Sequence, residues 1–173
     1  AFTIFFYAVV YTIWLKRHTV QNIVIGGAAG AFPPIIGHIC ATGSIGIEAL
    51  ILFLIIFLWT PPHFWALALV NKSDYKAAKI PMLPIIYGDM TTRKNIFVYS
   101  LLLMPCVYLP WILNYSGNFY VLVVTLLNIE FIRRSISVLK ENKDSEKGLF
   151  VYSIFYLSIL FASICFDKLI SNL

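Results

Sequence analysis

Apolar residues run through this chain in six long blocks, at residues 1–15, 23–40, 45–70, 96–113, 119–132 and 149–166. Short polar stretches separate them. A helix that crosses the ~30 Å hydrocarbon core of a bilayer needs about 20 predominantly apolar residues. The blocks approach or reach that length, and the fifth extends by another turn if residues beyond 132 are counted. No block alternates apolar and polar residues with period two, so a membrane β-barrel has no support. The pattern predicts an all-α, polytopic transmembrane helix bundle with six spans, forming one membrane-embedded domain over 1–173. The first block is short and begins on an apolar residue, which reads as a span whose upstream part is missing.

Composition strengthens this reading. The chain is 60% hydrophobic and 12% charged, whereas soluble domains carry about 25% charged residues. A cleaved signal peptide would explain one apolar block, not six. The net charge of +5 is explained by topology without invoking nucleic acid. Three polar connections hold Lys16 and Arg17; Lys72, Lys76, Lys79, Arg93 and Lys94; and Arg133, Arg134, Lys140, Lys143 and Lys147. Only Lys168 falls on the other side. The positive-inside rule puts the basic connections on the cytoplasmic side, with both chain ends opposite. Cys40, Cys106 and Cys165 are far apart in apolar surroundings, so neither a disulfide framework nor a CxxC metal site is readable.

Candidate chemistry concentrates beside the third block. The connection at 71–95 is the longest, and long connections in compact folds often carry function. Within it, "DYKAAK" has helical spacing, with Asp74 and Ala78 on one face, Lys76 and Lys79 nearby, and Pro81 and Pro84 ending the helix. Two accounts fit: a solvated surface pair, or Asp74 holding a hard cation while lysines hold an anion. Lys16 and Arg17 are either interface anchors or a second anion clamp. Gly26, Gly27 and Gly30, with the alanines between and after them, allow close helix packing. Pro33–Pro34 and Pro61–Pro62 are expected to break their helices. Such breaks are tolerated where backbone lines a cavity, so the two pairs point to a shared chamber, or simply to two kinked helices. His63 follows the second pair. It is a functional candidate as a membrane-embedded ionisable group, or a cap on a carbonyl freed by proline. Trp59, Phe64 and Trp65 either border a ligand or pack the core. Glu130 is spaced to pair with Arg133 and Arg134. His18 and His38 have weaker cases, and Glu48 has no evident role.

Two stretches, "YTIWLKRHTVQNIVIGGAAGAFPPIIG" and "WTPPHFWALALVNKSDYKAAKIPMLP", taken in order, resemble the protohaem IX farnesyltransferase (haem O synthase) family of UbiA-type intramembrane prenyltransferases. The resemblance extends over essentially the whole chain. It implies nine transmembrane helices, of which these would be the last six. It also implies transfer of a farnesyl group from farnesyl diphosphate to the 2-vinyl group of haem B, giving haem O, the precursor of haem A. Haem B is then a substrate, Mg²⁺ the diphosphate counter-ion, the lipid bilayer the surroundings and haem A synthase a partner. The location implied is a bacterial cytoplasmic or mitochondrial inner membrane, with basic loops on the cytoplasmic or matrix side. The implied catalytic residues are Asp74, Lys79 and His63, with Asp74 also the metal ligand. The implied substrate-binding residues are Lys16, Arg17, Asn22, Trp59, Phe64, Trp65, Tyr75 and Lys76.

Two departures matter. The superfamily's first aspartate-rich motif, NDxxDxxxD, is absent. The second, DxxxD, has Ala78 at its second acidic place, a variant typical of the haem-specific branch. The alternatives are a prenyltransferase for a quinone or other ring acceptor, which favours an intact DxxxD, and a non-catalytic haem-binding or transport protein.

Overall fold

The longest apolar block forms the hub of the molecule. In a computed structural model describing residues 2–15 and 18–171, it is the 24-residue helix α4 (Ile47–Val70). The chain reaches it through α1 (Phe2–Phe5), a π-helical continuation over Phe6–Leu15, α2 (Asn22–Ala31) and α3 (Pro33–Thr42). After α4 come the short helices α5 (Lys72–Ala77) and α6 (Leu83–Ile86). Then follow α7 (Asp89–Cys106), the single turn α8 (Leu109–Ile112), α9 (Asn118–Leu139) and α10 (Ser145–Ser171). No strand occurs among the described residues.

Helix α4 packs on α7 and α10, α7 packs on α9, and α9 returns to α10, closing a four-helix ring. Helix α2 lies on another flank of α4, with Phe6–Leu15 against α2. The core contains Ile55, Trp65, Ile96, Leu103, Tyr120, Phe131, Leu149, Tyr156 and Leu160. Several polar groups within it find partners, although Trp65 Nε1 and Asn128 Nδ2 do not. The Ser135 hydroxyl donates to Ser100 Oγ at 3.0 Å, Tyr156 donates to Asn128 Oδ1 at 2.8 Å, and Tyr120 donates to the Val107 carbonyl at 2.7 Å. Unmet hydrogen bonds in a bilayer cost several kcal/mol, so such pairs hold the ring in register.

Four helical segments are long and apolar enough to cross a membrane: Asn22–Thr42, Ile47–Val70, Asp89–Ile112 and Ser145–Ile170. Thr3–Leu15 is a shorter apolar helix. At 22 residues, α9 spans about 33 Å, but its second half carries Glu130, Arg133 and Arg134. Glu130 pairs with both arginines at 2.6 Å, as its spacing predicts. Arg134 also donates to the Gly148 carbonyl and lies over the Tyr152 ring. Arg93 at the start of α7 joins this end through Glu146 at 2.8 Å and Glu141 at 3.0 Å.

Three local expectations are corrected. Helix α4 runs without interruption through Pro61 and Pro62. A proline removes one helical donor and costs about 3 kcal/mol in a helix interior. Here both rings are buried along with Thr60, His63, Trp65 and Ala66, so packing against neighbouring helices outweighs the local penalty. At the other pair the helix does divide, as expected, between α2 and α3, with Pro33 and Pro34 in the first two positions of α3, where the missing N–H groups are harmless. Phe32 between α2 and α3 keeps helical angles. The long connection ends at Gly88 rather than residue 95, because α7 starts at Asp89. There Asp89 favours the helix N-terminus and accepts from Lys72 at 2.6 Å. Finally, α5 stops at Ala77, before Pro81, and Lys79 turns the chain with φ +54°.

Candidate active site: an aromatic chamber beside a basic mouth

Close approach of α2 to its neighbours defines the main cavity. A Cβ on Gly27 would stand 2.8 Å from Thr60 Cγ2, and one on Gly26 would collide with the Tyr11 ring. Gly30 is different, with no atom within 4 Å of the corresponding point. The backbone is pinched at Gly26 and Gly27 and open at Gly30. The cavity beside it measures about 410 Å³ and is largely apolar. Its walls come from Tyr7 and Tyr11, from Ile23 and the three glycines, from Ile56, Trp59, Thr60 and Phe64, and from the connection residues Tyr75, Ile80 and Met82. Burial raises the Tyr75 hydroxyl above its ordinary pKa, so it stays protonated and able to donate.

Trp59 is fixed in this wall. Its indole N–H donates to the Ser153 carbonyl at 2.8 Å. His63, one turn on, stacks on Trp59 with centroids 4.4 Å apart and on Phe150 at 4.7 Å, and meets the Phe64 ring edge-on. His63 Nδ1 lies 2.7 Å from Ser153 Oγ, whose hydroxyl donates to the Phe150 carbonyl at 2.6 Å. The serine proton is therefore committed, so Nδ1–H donates to Ser153 and Nε2 keeps a lone pair. This corrects the reading of His63 as a cap on a proline-freed carbonyl: its partner is on α10. The imidazole is buried and does not line the chamber. It stands behind Trp59.

Trp65 lies apart. It is fully buried, edge-on to Tyr99, and lines a second cavity of about 340 Å³ with Gln21, Tyr87, Thr91 and Asn95. Asn22, buried in the first turn of α2, lines neither cavity. Lys16 and Arg17 lie outside the described residues.

The basic mouth adjoins the chamber through one residue. Lys76 and Lys79 line a cleft of about 230 Å³ with Ile80, Pro81, Ile85 and Ile86, and Ile80 also lines the chamber. Asp74 is exposed one turn from Ala78, with the Ser73 hydroxyl at 3.3 Å. Asp89 is held by Lys72. Among the described residues no three His, Cys, Asp or Glu side chains gather as a metal cage. Asp74 presents one exposed carboxylate, and a Mg²⁺ site that takes its other ligands from substrate phosphates and water needs only one or two.

The sequence reading placed Trp59, Phe64 and Tyr75 among substrate-binding residues, and all three share one cavity. It missed Tyr7, Tyr11, Thr60 and Met82. The first two had a signal in their i, i+4 spacing, which puts both rings on one helix face. Thr60 had one as a lone polar residue before two prolines.

A family model described as the UbiA prenyltransferase family matches residues 1–160. Two proteins of Mesorhizobium japonicum (strain LMG 29417 / CECT 9101 / MAFF 303099), named Protoheme IX farnesyltransferase 2 and 1, are each 53% identical to the chain. Those alignments take in 99% and 98% of it, and 56% and 55% of the relatives. A Protoheme IX farnesyltransferase of Brucella ovis (strain ATCC 25840 / 63/290 / NCTC 10512) is 50% identical over 98% of the chain and 56% of its own length. The chain thus spans about half the length of the curated relatives it matches. No solved structure matches.

Proposed function

The chain belongs to the UbiA prenyltransferase family, and from that premise we propose that the whole protein transfers the farnesyl group of farnesyl diphosphate to the 2-vinyl group of haem B, making haem O. The observation that carries this reading is an apolar, aromatic chamber meeting a two-lysine cleft at Ile80. A prenyl diphosphate has that polarity, with a hydrocarbon tail joined to a concentrated anion. The names of the relatives support haem as the acceptor.

In this reading Trp59, Phe64, Tyr7 and Tyr11 enclose the tail and exclude water from the reacting carbon. Lys76 and Lys79 hold the diphosphate and stabilise the negative charge it gains as the C1–oxygen bond breaks. The vinyl terminal carbon forms the new bond to C1. Water adds at the adjoining carbon and a proton leaves. UbiA prenyltransferases generally use a metal ion with the diphosphate; Mg²⁺ held through Asp74 would add positive charge at the leaving group. His63 serves as a positioning residue for Trp59. The basic connections face the cytoplasm or mitochondrial matrix, and haem A synthase consumes the product.

The test uses purified full-length protein with farnesyl diphosphate and either haem B or a quinone-type ring acceptor, with products identified by mass. Haem O from haem B alone supports the proposal. Prenylation of the ring acceptor with haem B left unchanged overturns it.

A further inference from the structure

A second polar site lies at the opposite end of the bundle. Glu48 is in the first turn of α4 and Asp74 follows its end, so about 33 Å of helix separates the two surfaces. Few ionisable groups occupy the far surface. Among the described residues, its Asp, Glu, Lys and His side chains are His38, Glu48, Asp167 and Lys168. Three of these four converge on one cavity of about 290 Å³, whose remaining wall includes Ile51, Leu52, Pro110, Tyr115 and Ile164. The fourth, Asp167, is engaged elsewhere, accepting from the Gly117 amide.

Two of the polar groups that line the cavity approach the same point. His38 Nε2 and Glu48 Oε2 would each stand within 2.6 Å of a Cβ on residue 46, and glycine at 46 makes room for them. Acceptor capacity gathers there: a carboxylate, and an imidazole when neutral. Lys168, in the last turn of α10, supplies positive charge on the same cavity. Apolar wall residues come from α4, α8 and α10.

We propose that this cavity binds a phosphoethanolamine headgroup, with the ammonium at Glu48 and His38 and the phosphate at Lys168. A primary ammonium has three N–H donors for the carboxylate and imidazole acceptors; a trimethylammonium has none. A phosphate suits the point charge of lysine. The apolar wall suits the glycerol and upper acyl carbons of a lipid at the membrane surface. The same headgroup chemistry exists in a membrane phospholipid and in soluble phosphoethanolamine.

Full-length protein, stripped of lipid in detergent, is titrated with dioctanoyl phosphatidylethanolamine, -choline and -glycerol, and bound lipid is counted by native mass spectrometry. The ethanolamine lipid should bind about tenfold or more tightly than either other lipid, as expected for charge-assisted donors. Glu48→Gln should remove that preference, Lys168→Met should weaken binding of all three lipids, and Lys168→Arg should retain wild-type binding. If Glu48→Gln does not fold, His38→Leu, which removes the other ammonium acceptor, carries the test of the preference. Free phosphoethanolamine displacing the lipid at comparable concentration identifies the soluble compound as sufficient; displacement only at far higher concentration identifies the phospholipid. Equal binding of all three lipids, or unchanged binding in Glu48→Gln and Lys168→Met, overturns the proposal.

Discussion

At the residue scale, Ser153 does two jobs. Its backbone carbonyl holds Trp59 and its hydroxyl holds His63. Ser153→Ala should leave the Trp59 bond intact and strand the His63 N–H. A stranded buried donor costs about 1–3 kcal/mol, read as a lowered thermal midpoint. If His63 positions Trp59, the same variant should also bind farnesyl diphosphate more weakly. An unchanged midpoint and unchanged binding would leave His63 a bystander. Asp74 is the opposite case, an exposed side chain with little structural work. Asp74→Asn in the full-length protein should lower haem O formation by about 10²-fold, as losing a preorganised charge stabiliser does, without changing expression. Wild-type turnover would show that Asp74 is only solvated. Trp59 and Phe64 stand out in the sequence as large aromatics flanking a proline pair, and Tyr75 only through the family resemblance; all three line the chamber. Trp65 lines the second cavity rather than the chamber, because which face of a buried helix meets a cavity depends on its neighbours, and both faces of α4 are apolar.

At the element scale, α2 and α4 decide the chamber. Gly27 and Gly30 lie on the same helix, yet predict opposite outcomes. Gly27→Ala places a methyl against Thr60 of α4 and should destabilise the protein by about 1–3 kcal/mol through overpacking. Gly30→Ala meets open space and should be neutral or stabilising by about 0.5–1 kcal/mol, since glycine is a poor helix former. Thermal denaturation of the two variants checks this, and equal effects would contradict the packing described. Gly30→Leu projects into the chamber and should raise KM for farnesyl diphosphate with little loss of stability. Every long helix was readable from apolar block length, because the bilayer requirement is coarse. The proline effects were not. Local rules gave a break at Pro61–Pro62, while burial among neighbouring helices keeps α4 continuous. The start of α7 is also hidden in the sequence, since its first two turns, "DMTTRKN", are polar and read as loop. Gly88 before Asp89 was the available signal.

At the scale of the whole molecule, charge separates the two ends of the bundle. The basic groups crowd the end that carries Asp74, Lys76 and Lys79, where an anionic diphosphate would dock, while the far end holds one lysine. Single cysteines at positions 76, 143 and 116 in an otherwise cysteine-free full-length protein report the topology. Positions 76 and 143 should label from the cytoplasmic or matrix side and position 116 from the other. Labelling of 76 and 116 from one side would contradict the span order. Whether the prenyl chain occupies the chamber between Phe6–Leu15, α2 and α4 is tested by photo-crosslinking of full-length protein with a farnesyl diphosphate analogue carrying a photoreactive group on the tail, followed by peptide mapping. A tail in the chamber gives adducts on Tyr7, Tyr11, Trp59 or Phe64, suppressed by excess farnesyl diphosphate. Suppressible adducts confined to the second cavity, at Tyr87, Asn95 or Tyr99, would contradict it.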